Sequence, residues 1–369
     1  MHILFAGGGT AGHINPALSV ADYIKSNYSD IKISYIGTEK GLESRLVPAA
    51  GYDFYTINVS GFQRKINLEN IKKNIIAAKN VVTASSKVKK LLKELKPDIV
   101  VGTGGYVSGP VVRTAAKMGI KTAIHEQNAY PGVTTKMLIK LVDKVMLAMP
   151  EAASRLDADR EYIVTGNPVR ERLVSADRDE CRAKLGIDNK VMILSFGGSL
   201  GAAAINRSID GVADYVNQNA GCFLYHATGK NGYKAFMEEF STKNYAENSN
   251  IKVVEYINNM DELLAAADIV ICRAGAITLA ELQACGKASV LIPSPYVAEN
   301  HQYYNALTLK DKGAAELIEE KDLNSDVLKN AVASLVNNKK LIEEMAHKAK
   351  ASAISDSNKK IAQVIMSLI

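Results

Sequence analysis

Short apolar runs alternate with longer amphipathic stretches along most of the chain. The short runs are rich in β-branched residues, and many of them end in glycine-rich turns. This alternation predicts βαβ units, parallel sheets and an α/β fold. The predicted strands include KISYIG, DIVVGTGG, TAIHEQN, VMILSFGG, IKVVEY and DIVICRAG. Because ligands of open α/β sheets bind beyond the carboxyl ends of the strands, the turns that follow these runs are the candidate sites.

An internal similarity predicts two domains of this kind. The segment HILFAGGGTAGHINPAL near the start resembles VMILSFGGSLGAAAINRSI from Val191, and each reads as strand, glycine turn and helix. A chain of 369 residues is long enough for two full cores. We expect an N-terminal domain over 1–164 and a C-terminal domain over 165–345. A terminal helix over 346–369 is expected to pack on the first domain, although its pattern also fits completion of the second.

Composition narrows the class of protein. Apolar residues make up 47% of the chain and charged residues 23%, which is typical of a soluble globular protein. No apolar run approaches the ~18–20 residues of a membrane span, and no signal peptide is expected. The four cysteines form no CxxC pair, which favours reduced thiols in a cytoplasm over a disulfide framework or a zinc site. The net charge of +6 is modest, and no nucleic-acid partner is expected.

The first glycine turn, GGGTAGHINP over 7–16, admits two interpretations. Its Gly-x-Gly-x-x-Gly spacing matches a dinucleotide fingerprint, which requires an acid at the end of the next strand to bind the ribose. The nearest acid, Glu39, comes late, and the second half of the chain holds another phosphate-ready loop that a dehydrogenase does not need. We therefore expect no nicotinamide cofactor, and His13 becomes the residue of interest.

The second half carries two turns suited to a nucleotide. GGSLGA over 197–202 places Ser199 before a helix, where backbone N–H groups attract a diphosphate. CRAGAITLAELQACG places Glu281 about one and a half helical turns after a glycine turn, where a carboxylate can accept from both ribose hydroxyls. A solvated helix glutamate is the alternative. Asp157 and Asp159 follow no strand and read as surface charge, so no metal site is expected.

Seven motifs occur in the order and spacing of the MurG family: GGGTAGHINPAL, GTGGYVSGP, HEQN, GNPVR, GGSLGA, CRAGAITLAE and NHQYYNA. The resemblance spans nearly the whole chain. It implies a GT-B fold, with two Rossmann-like domains whose parallel sheets face across a cleft. It implies an inverting transfer of N-acetylglucosamine from UDP-N-acetylglucosamine to the C4 hydroxyl of the muramoyl sugar of undecaprenyl-diphospho-muramoyl-pentapeptide (lipid I), which gives lipid II for peptidoglycan synthesis, cell shape and division.

The resemblance also implies roles for residues at matching positions. His13 is expected to be the general base, with Glu126 in reserve. The substrate-binding residues of the first domain would be Thr10, Ala11, Gly12, Tyr106 and Asn128. Those of the second domain would be Arg170, Ser199, Ile257, Met260, Ala276, Ile277, Thr278, Leu279, Ala280, Glu281, His301 and Gln302. Among these, Arg170, Ile257 and Met260 would contact the uracil, Glu281 the ribose, and His301 and Gln302 the sugar hydroxyls. Two positions depart from the family pattern, Leu200 in place of glutamine and Ala11 in place of glycine.

The region from Gln63 to Lys96 is a candidate for binding the membrane that carries a lipid-linked acceptor. It holds ten basic residues and two acids, with apolar residues on one helical side. A basic amphipathic segment predicts binding to an anionic membrane surface, and a solvated helix on an ordinary core remains the alternative. The expected membrane residues are Arg64, Lys65, Ile71, Lys72, Lys73, Ile75 and Lys79. A peripheral enzyme on the cytoplasmic face of the cell membrane is therefore expected.

Two other functions remain open. A different GT-B transferase could use a UDP-sugar with a lipid acceptor such as diacylglycerol, since the acceptor's identity rests on the resemblance. A non-catalytic nucleotide-sugar sensor would need no general base, so a loss of turnover when His13 is changed would argue against this function. The sequence indicates neither protein partners nor oligomeric state.

Overall fold

The computed structural model describes residues 1–59, 85–187 and 189–369. These residues divide into two compact units, 1–168 with 356–369, and 169–355. The sequence boundary expected at 164 lies four residues before this division. The chain returns to unit 1 only at Asp356, because the helix that precedes this residue packs within unit 2.

Unit 1 is built on a sheet of seven described strands in the order β3-β2-β1-β4-β5-β6-β7, all paired in parallel. Its strands are β1 (His2–Gly7), β2 (Lys32–Gly37), β3 (Asp53–Thr56), β4 (Ile99–Gly104), β5 (Lys121–Glu126), β6 (Lys144–Leu147) and β7 (Ile163–Val164). Its helices are α1 (Ala11–Asn27), α2 (Glu43–Ala49), α3 (85–95), α4 (Gly105–Lys117), α5 (Val133–Leu138), a 3₁₀ helix (Pro150–Arg155) and α15 (Ser357–Met366).

Unit 2 repeats the same topology. Its six described strands follow the order β10-β9-β8-β11-β12-β13, again in parallel pairs. The strands are β8 (Val191–Phe196), β9 (Cys222–Ala227), β10 (Ile251–Val254), β11 (Ile269–Cys272), β12 (Ala288–Leu291) and β13 (Ala315–Leu317). The helices are α6 (Glu171–Ser175), α7 (Arg178–Leu185), α8 (Ala203–Gln218), α9 (Tyr233–Phe240), α10 (Met260–Ala266), α11 (Ala276–Cys285), a 3₁₀ helix (Ala298–Asn300), α12 (His301–Asp311), α13 (Ser325–Val336) and α14 (Lys339–Ala351).

Helices cover the sheets because the strands are apolar on both faces. In unit 1 one buried cluster lies between the sheet and α1, and another lies between the sheet and α4. In unit 2 the largest cluster joins the sheet to α8, α13 and α14. Parallel sheets of this kind need both faces buried, which explains the uninterrupted apolar runs in the sequence. Both units thus have the Rossmann-like α/β architecture that the alternation predicts.

The end of the chain differs from the single helix expected over 346–369. A break at residues 352–356 separates α14 from α15, and Asp356 takes a left-handed φ of 56°. The helix α14 packs on α11 and β12 of unit 2. The helix α15 buries Ile361, Ala362 and Ile365 in the core beside α1, and Ser19 Oγ donates to Asn358 Oδ1 at 3.1 Å. Only this last helix therefore packs on the first unit.

Candidate active site

Each sheet has one point at which the strand order reverses. In unit 1 this switch lies between β1 and β4, where Gly7 pairs with Gly104. In unit 2 it lies between β8 and β11, where Phe196 pairs with Cys272. Connections leave the sheet in opposite directions at such a point and leave a crevice beyond the strand ends. The glycine turns singled out in the sequence follow these four strands.

His13 lies in the first turn of α1, beside the unit 1 switch point. Its Nδ1 lies 3.1 Å from the Gly8 carbonyl oxygen and 3.2 Å from Thr10 Oγ1. Since a carbonyl can only accept, Nδ1 carries the proton of the neutral ring and Nε2 keeps its lone pair. Burial lowers the pKa of the imidazole, against the opposing effects of the Gly8 carbonyl and of the Glu126 and Glu43 carboxylates. This ring is therefore neutral near pH 7, with Nε2 able to accept a proton.

The residues around His13 leave backbone donors available. No described side chain caps the N-terminus of α1 or of α4, which begin after Thr10 and Gly104. Gly104 takes a φ of 102°, and a Cβ there would meet the His13 ring at 2.7 Å. Tyr106 lies against Gly9. Two helix N-termini that no described side chain caps can bind an anion here, next to Thr10, Ala11 and Gly12.

The HEQN motif is largely a structural clamp. Glu126 is buried, and its carboxylate accepts from Asn128 N and Nδ2, Gly132 N and Thr135 Oγ1 at 2.6–3.1 Å. Four hydrogen bonds use the acceptor capacity of a carboxylate. Glu126 therefore holds the loop that carries Asn128, and its environment suits a general base less well than that of His13.

In unit 2 the predicted phosphate loop forms the turn between β8 and α8. Gly198 and Gly201 take φ values of 94° and 86°, which only glycine adopts readily. The turn carries Ser199 and the exposed side chain of Leu200. No described side chain caps α8. The free N–H groups of this 16-residue helix and the Ser199 hydroxyl form an arrangement suited to a diphosphate.

Glu281 and Arg170 come together beside this loop's sheet edge. Arg170 Nη2 donates to Glu281 Oε1 at 3.0 Å. The Glu281 side chain is only 15% exposed. Burial raises the pKa of its carboxyl, while Arg170 opposes the rise. The structure thus joins two residues 111 positions apart that the sequence assigned separately to ribose and uracil.

The remaining predicted donor residues share the carboxyl-end edge of the second sheet. Ile257 is buried after β10, and Met260 begins α10. The stretch 276–281 opens α11, whose N-terminus no described side chain caps. Leu279 is 0% exposed and its N–H donates to the Gly275 carbonyl at 3.0 Å, so neither its side chain nor its N–H is presented to a ligand. The residues of this stretch before Glu281 are Ala276, Ile277, Thr278, Leu279 and Ala280.

His301 and Gln302 open α12 with fixed ring and amide orientations. His301 Nδ1 donates to the Ala298 carbonyl at 2.8 Å, and Gln302 Oε1 accepts from Ser294 N at 2.9 Å. The amide nitrogen of Gln302 is therefore the group of this side chain that can bind a sugar hydroxyl.

Two residues at these edges, Tyr256 and Arg273, were not predicted from the sequence. Tyr256 follows β10 with its ring largely exposed, next to the predicted uracil contact Ile257. Arg273 begins the turn after β11 and pairs with Glu320 at 2.5 Å, both mostly buried. An aromatic residue at the end of the predicted strand run IKVVEY is a signal that could have found Tyr256. The Arg273 contact joins positions 47 residues apart, which no local pattern reveals.

Three further expectations from the sequence concern a metal site, a membrane span and the membrane-binding residues. Within 1–59, 85–187 and 189–369, no group of three or more His, Cys, Asp or Glu side chains is placed to hold a metal ion. Asp157 pairs with Lys140 at 3.2 Å on the surface. No helix in the described part of the chain is long and apolar enough to cross a bilayer. The expected membrane residues Arg64, Lys65, Ile71, Lys72, Lys73, Ile75 and Lys79 lie outside the described residues.

Comparisons with known proteins agree with this architecture. The N-terminal and C-terminal domain models of glycosyltransferase family 28 match residues 3–147 and 192–361. A Ruminiclostridium cellulolyticum protein named UDP-N-acetylglucosamine–N-acetylmuramyl-(pentapeptide) pyrophosphoryl-undecaprenol N-acetylglucosamine transferase is 44% identical, and the match covers 100% of both chains. A protein of the same name from Acetivibrio thermocellus is 40% identical over 100% of this chain and 98% of its own.

A solved structure agrees as well. The crystal structure of Acinetobacter baumannii MurG matches with a TM-score of 0.80 and 29% identity, over 99% of each chain. The resemblance in the seven motifs is thereby confirmed over the full length. The chain belongs to the family of the UDP-N-acetylglucosamine–N-acetylmuramyl-(pentapeptide) pyrophosphoryl-undecaprenol N-acetylglucosamine transferases, the glycosyltransferases that include MurG.

Proposed function

We propose that this chain transfers N-acetylglucosamine from UDP-N-acetylglucosamine to the muramoyl C4 hydroxyl of undecaprenyl-diphospho-muramoyl-pentapeptide, with inversion, and that His13 is the general base. The observation that carries the assignment of His13 is its hydrogen bond to the Gly8 carbonyl. A sugar hydroxyl is a poor nucleophile at neutral pH, so its proton must leave as the new bond forms. The lone pair on Nε2 accepts that proton.

The donor is held in unit 2. The N–H groups at the start of α8, together with Ser199, bind the diphosphate and stabilise the charge that develops on UDP as the glycosidic bond breaks. Glu281 accepts from the ribose hydroxyls, and Arg170 then turns to the uracil with Ile257 and Met260. His301 and the Gln302 amide reach the sugar hydroxyls. No metal or other cofactor is assigned to the transfer.

Unit 1 binds the acceptor and contacts the membrane. Thr10, Ala11, Gly12, Tyr106 and Asn128 surround the acceptor's sugar and diphosphate. Described residues also support a membrane contact. Three apolar side chains four residues apart, Val133, Met137 and Leu141, are 54%, 62% and 45% exposed.

Lys136 and Lys140 lie among these apolar residues. Exposed apolar side chains with lysines between them fit the interface of an anionic membrane. We therefore place the enzyme peripherally at the cytoplasmic face of the membrane.

Replacing His13 tests this mechanism. His13→Ala should lower kcat by at least about a hundredfold, the usual scale of general-base catalysis, and should remove the acidic limb of the pH–rate profile. UDP affinity, measured by calorimetry, should stay nearly unchanged. His347→Ala is the matched control, since His347 is exposed on α14. If a His13 variant keeps most of its kcat, His13 is not the general base of this mechanism.

The acceptor is tested separately. Purified enzyme is given radiolabelled UDP-N-acetylglucosamine with either lipid I or diacylglycerol. Transfer to lipid I alone supports the proposal. Transfer to diacylglycerol alone identifies a different lipid glycosyltransferase, and UDP-sugar binding without turnover on either acceptor identifies a sensor.

A further inference from the structure

A fully buried carboxylate lies beneath the glycine turn that precedes His13. Glu43, the first residue of α2, is 0% exposed. Its Oε1 accepts from Thr38 N at 3.0 Å and from Thr38 Oγ1 at 2.7 Å, within the loop that follows β2. Its Oε2 accepts from Gly9 N at 3.2 Å, in the loop that follows β1. One carboxylate therefore ties together the ends of two adjacent strands.

A single peptide group connects the hydrogen bond between Glu43 and Gly9 to the hydrogen bond made by His13. The N–H of Gly9 and the carbonyl of Gly8 belong to the same amide plane. This amide donates to Glu43 on one side and accepts from His13 Nδ1 on the other, at 3.1 Å. We propose that Glu43 is a positioning residue for the transfer reaction, and that it fixes the orientation and tautomer of His13 through the Gly8–Gly9 peptide.

Hydrogen bonds in such a chain strengthen one another. A carboxylate that accepts from an amide N–H increases the partial negative charge on that amide's carbonyl oxygen. The Gly8 carbonyl then holds the Nδ1–H of His13 more firmly, which keeps the lone pair on Nε2. The arrangement does the work that a carboxylate bonded directly to imidazole does in acid–base triads, with one peptide group inserted between them.

The packing around Glu43 requires glycine on the facing loops. A Cβ at Gly8 would lie 2.6 Å from Glu43 Oε1, and one at Gly41 would lie 2.3 Å from the same atom. Gly9 has a φ of 88°, a conformation that L side chains rarely adopt. The carboxylate and the glycine turn therefore fit each other closely, and the Gly8–Gly9 peptide has little room to rotate.

The charge on Glu43 also has a role that a neutral side chain would not fill. No lysine or arginine of the described chain forms an ion pair with it within 4.0 Å. The charged groups that act on His13 are Glu43 from α2 and Glu126 from the end of β5. The phenols of Tyr35 and Tyr106 lie against Gly7 and Gly9. Both carboxylates raise the pKa of the imidazole, against the burial that lowers it, so they preserve its basicity.

Replacement by glutamine separates this role from a structural one. In Glu43→Gln the single amide oxygen can keep both Thr38 donors, which leaves the amide NH₂ facing the Gly9 N–H and removes that bond. We expect kcat to fall by about 10- to 100-fold, by analogy with the loss seen when partners that orient metal-bound imidazoles are removed. KM for the donor should hardly change. The acidic limb of kcat should move to lower pH, because the imidazolium loses a nearby anion.

Asp143→Asn is the matched control. Asp143 also accepts from a backbone N–H and a threonine hydroxyl, those of Thr122, but at the amino end of β5, away from His13. Its replacement should leave the acidic limb of kcat in place. If Glu43→Gln lowers activity without moving that limb, as a loss of folded protein would, Glu43 is structural and the proposal fails.

A measurement on the unmodified chain guards against a variant that does not fold. With ¹⁵N-labelled histidine, the neutral His13 ring should show its proton on Nδ1. A proton on Nε2 would overturn the proposal. The inference rests on His13 being the base, but the two can fail independently. An active His13→Ala variant refutes the base, whereas a His13 tautomer that is the same in Glu43→Gln as in the unmodified chain refutes the role of Glu43 without any turnover.

Discussion

Donor binding should depend on Glu281, and the contact with Arg170 determines how. Arg170 Nη2 donates to Glu281 Oε1 at 3.0 Å. In the proposed complex the ribose hydroxyls bond to this carboxylate instead. Hydrogen bonds to a charged group contribute about 1.5–3 kcal/mol. Glu281→Ala should therefore weaken UDP binding by roughly 10- to 100-fold.

The same residue predicts how donor affinity varies with pH. Burial raises the pKa of Glu281, and Arg170 holds it partly down. As the pH falls through this raised pKa, the carboxylate is protonated and can accept fewer hydrogen bonds. UDP affinity should accordingly decline at higher pH than an ordinary glutamate would require, and Glu281→Gln should flatten that decline.

Isothermal calorimetry with UDP at several pH values checks both expectations. Glu344→Ala is a suitable control, because Glu344 pairs with Lys340 on the surface of α14 in the same unit. Unchanged UDP affinity in Glu281→Ala would remove this residue from the donor site. A pH dependence that persists in Glu281→Gln would assign the titration to another group.

Three further outcomes are expected. Activity should survive an excess of chelator, since in the proposed mechanism helix N–H groups and Ser199 stabilise the leaving diphosphate; loss in chelator with recovery in Mg²⁺ or Mn²⁺ would contradict this. Sedimentation with vesicles should require anionic lipid and weaken with salt, at about 1 kcal/mol per basic residue engaged, and Met137→Glu with Lys136→Glu should reduce it. The pKa of buried His226 is lowered to about 4 by burial, so urea titrations should show unfolding free energy falling by up to about 3 kcal/mol from pH 6.5 to pH 4. His226→Gln should remove most of that slope, and an unchanged slope would place the titration elsewhere.

The strands and their turns could be predicted because their signals are local. A strand buried on both faces is apolar throughout, and a tight turn into a helix needs glycine. KISYIG coincides with β2, and the run from Val191 with β8. The duplication of strand, glycine turn and helix likewise predicted two units of the same topology, because the chain repeats the same local signals.

Residues whose role depends on distant contacts could not be predicted in this way. Glu43 reads in sequence as an ordinary acid at a helix start, and only the pairing of β1 with β2 brings it under Gly9. Glu126 reads as a free carboxylate at a strand end, yet four donors converge on it after the chain turns back at Gly132. The break before α15 depends on a left-handed Asp356, which helical periodicity does not detect.

The helix N-termini at the two switch points have the same geometry, but the groups proposed to lie beside them differ: a diphosphate in unit 2 and the His13 imidazole in unit 1. Each has a glycine turn leading into a helix that no described side chain caps, so the field at each helix N-terminus favours negative charge. In the proposed mechanism, the field acts in unit 2 on the diphosphate and stabilises UDP as it leaves. In unit 1 it acts on His13 and disfavours the imidazolium, which keeps the ring ready to accept a proton. The carboxylate of Glu43 offsets this second effect, so that the base stays neutral without losing its basicity. In the proposed mechanism, the repeated topology thus supplies both the acceptance of the proton and the stabilisation of the leaving group.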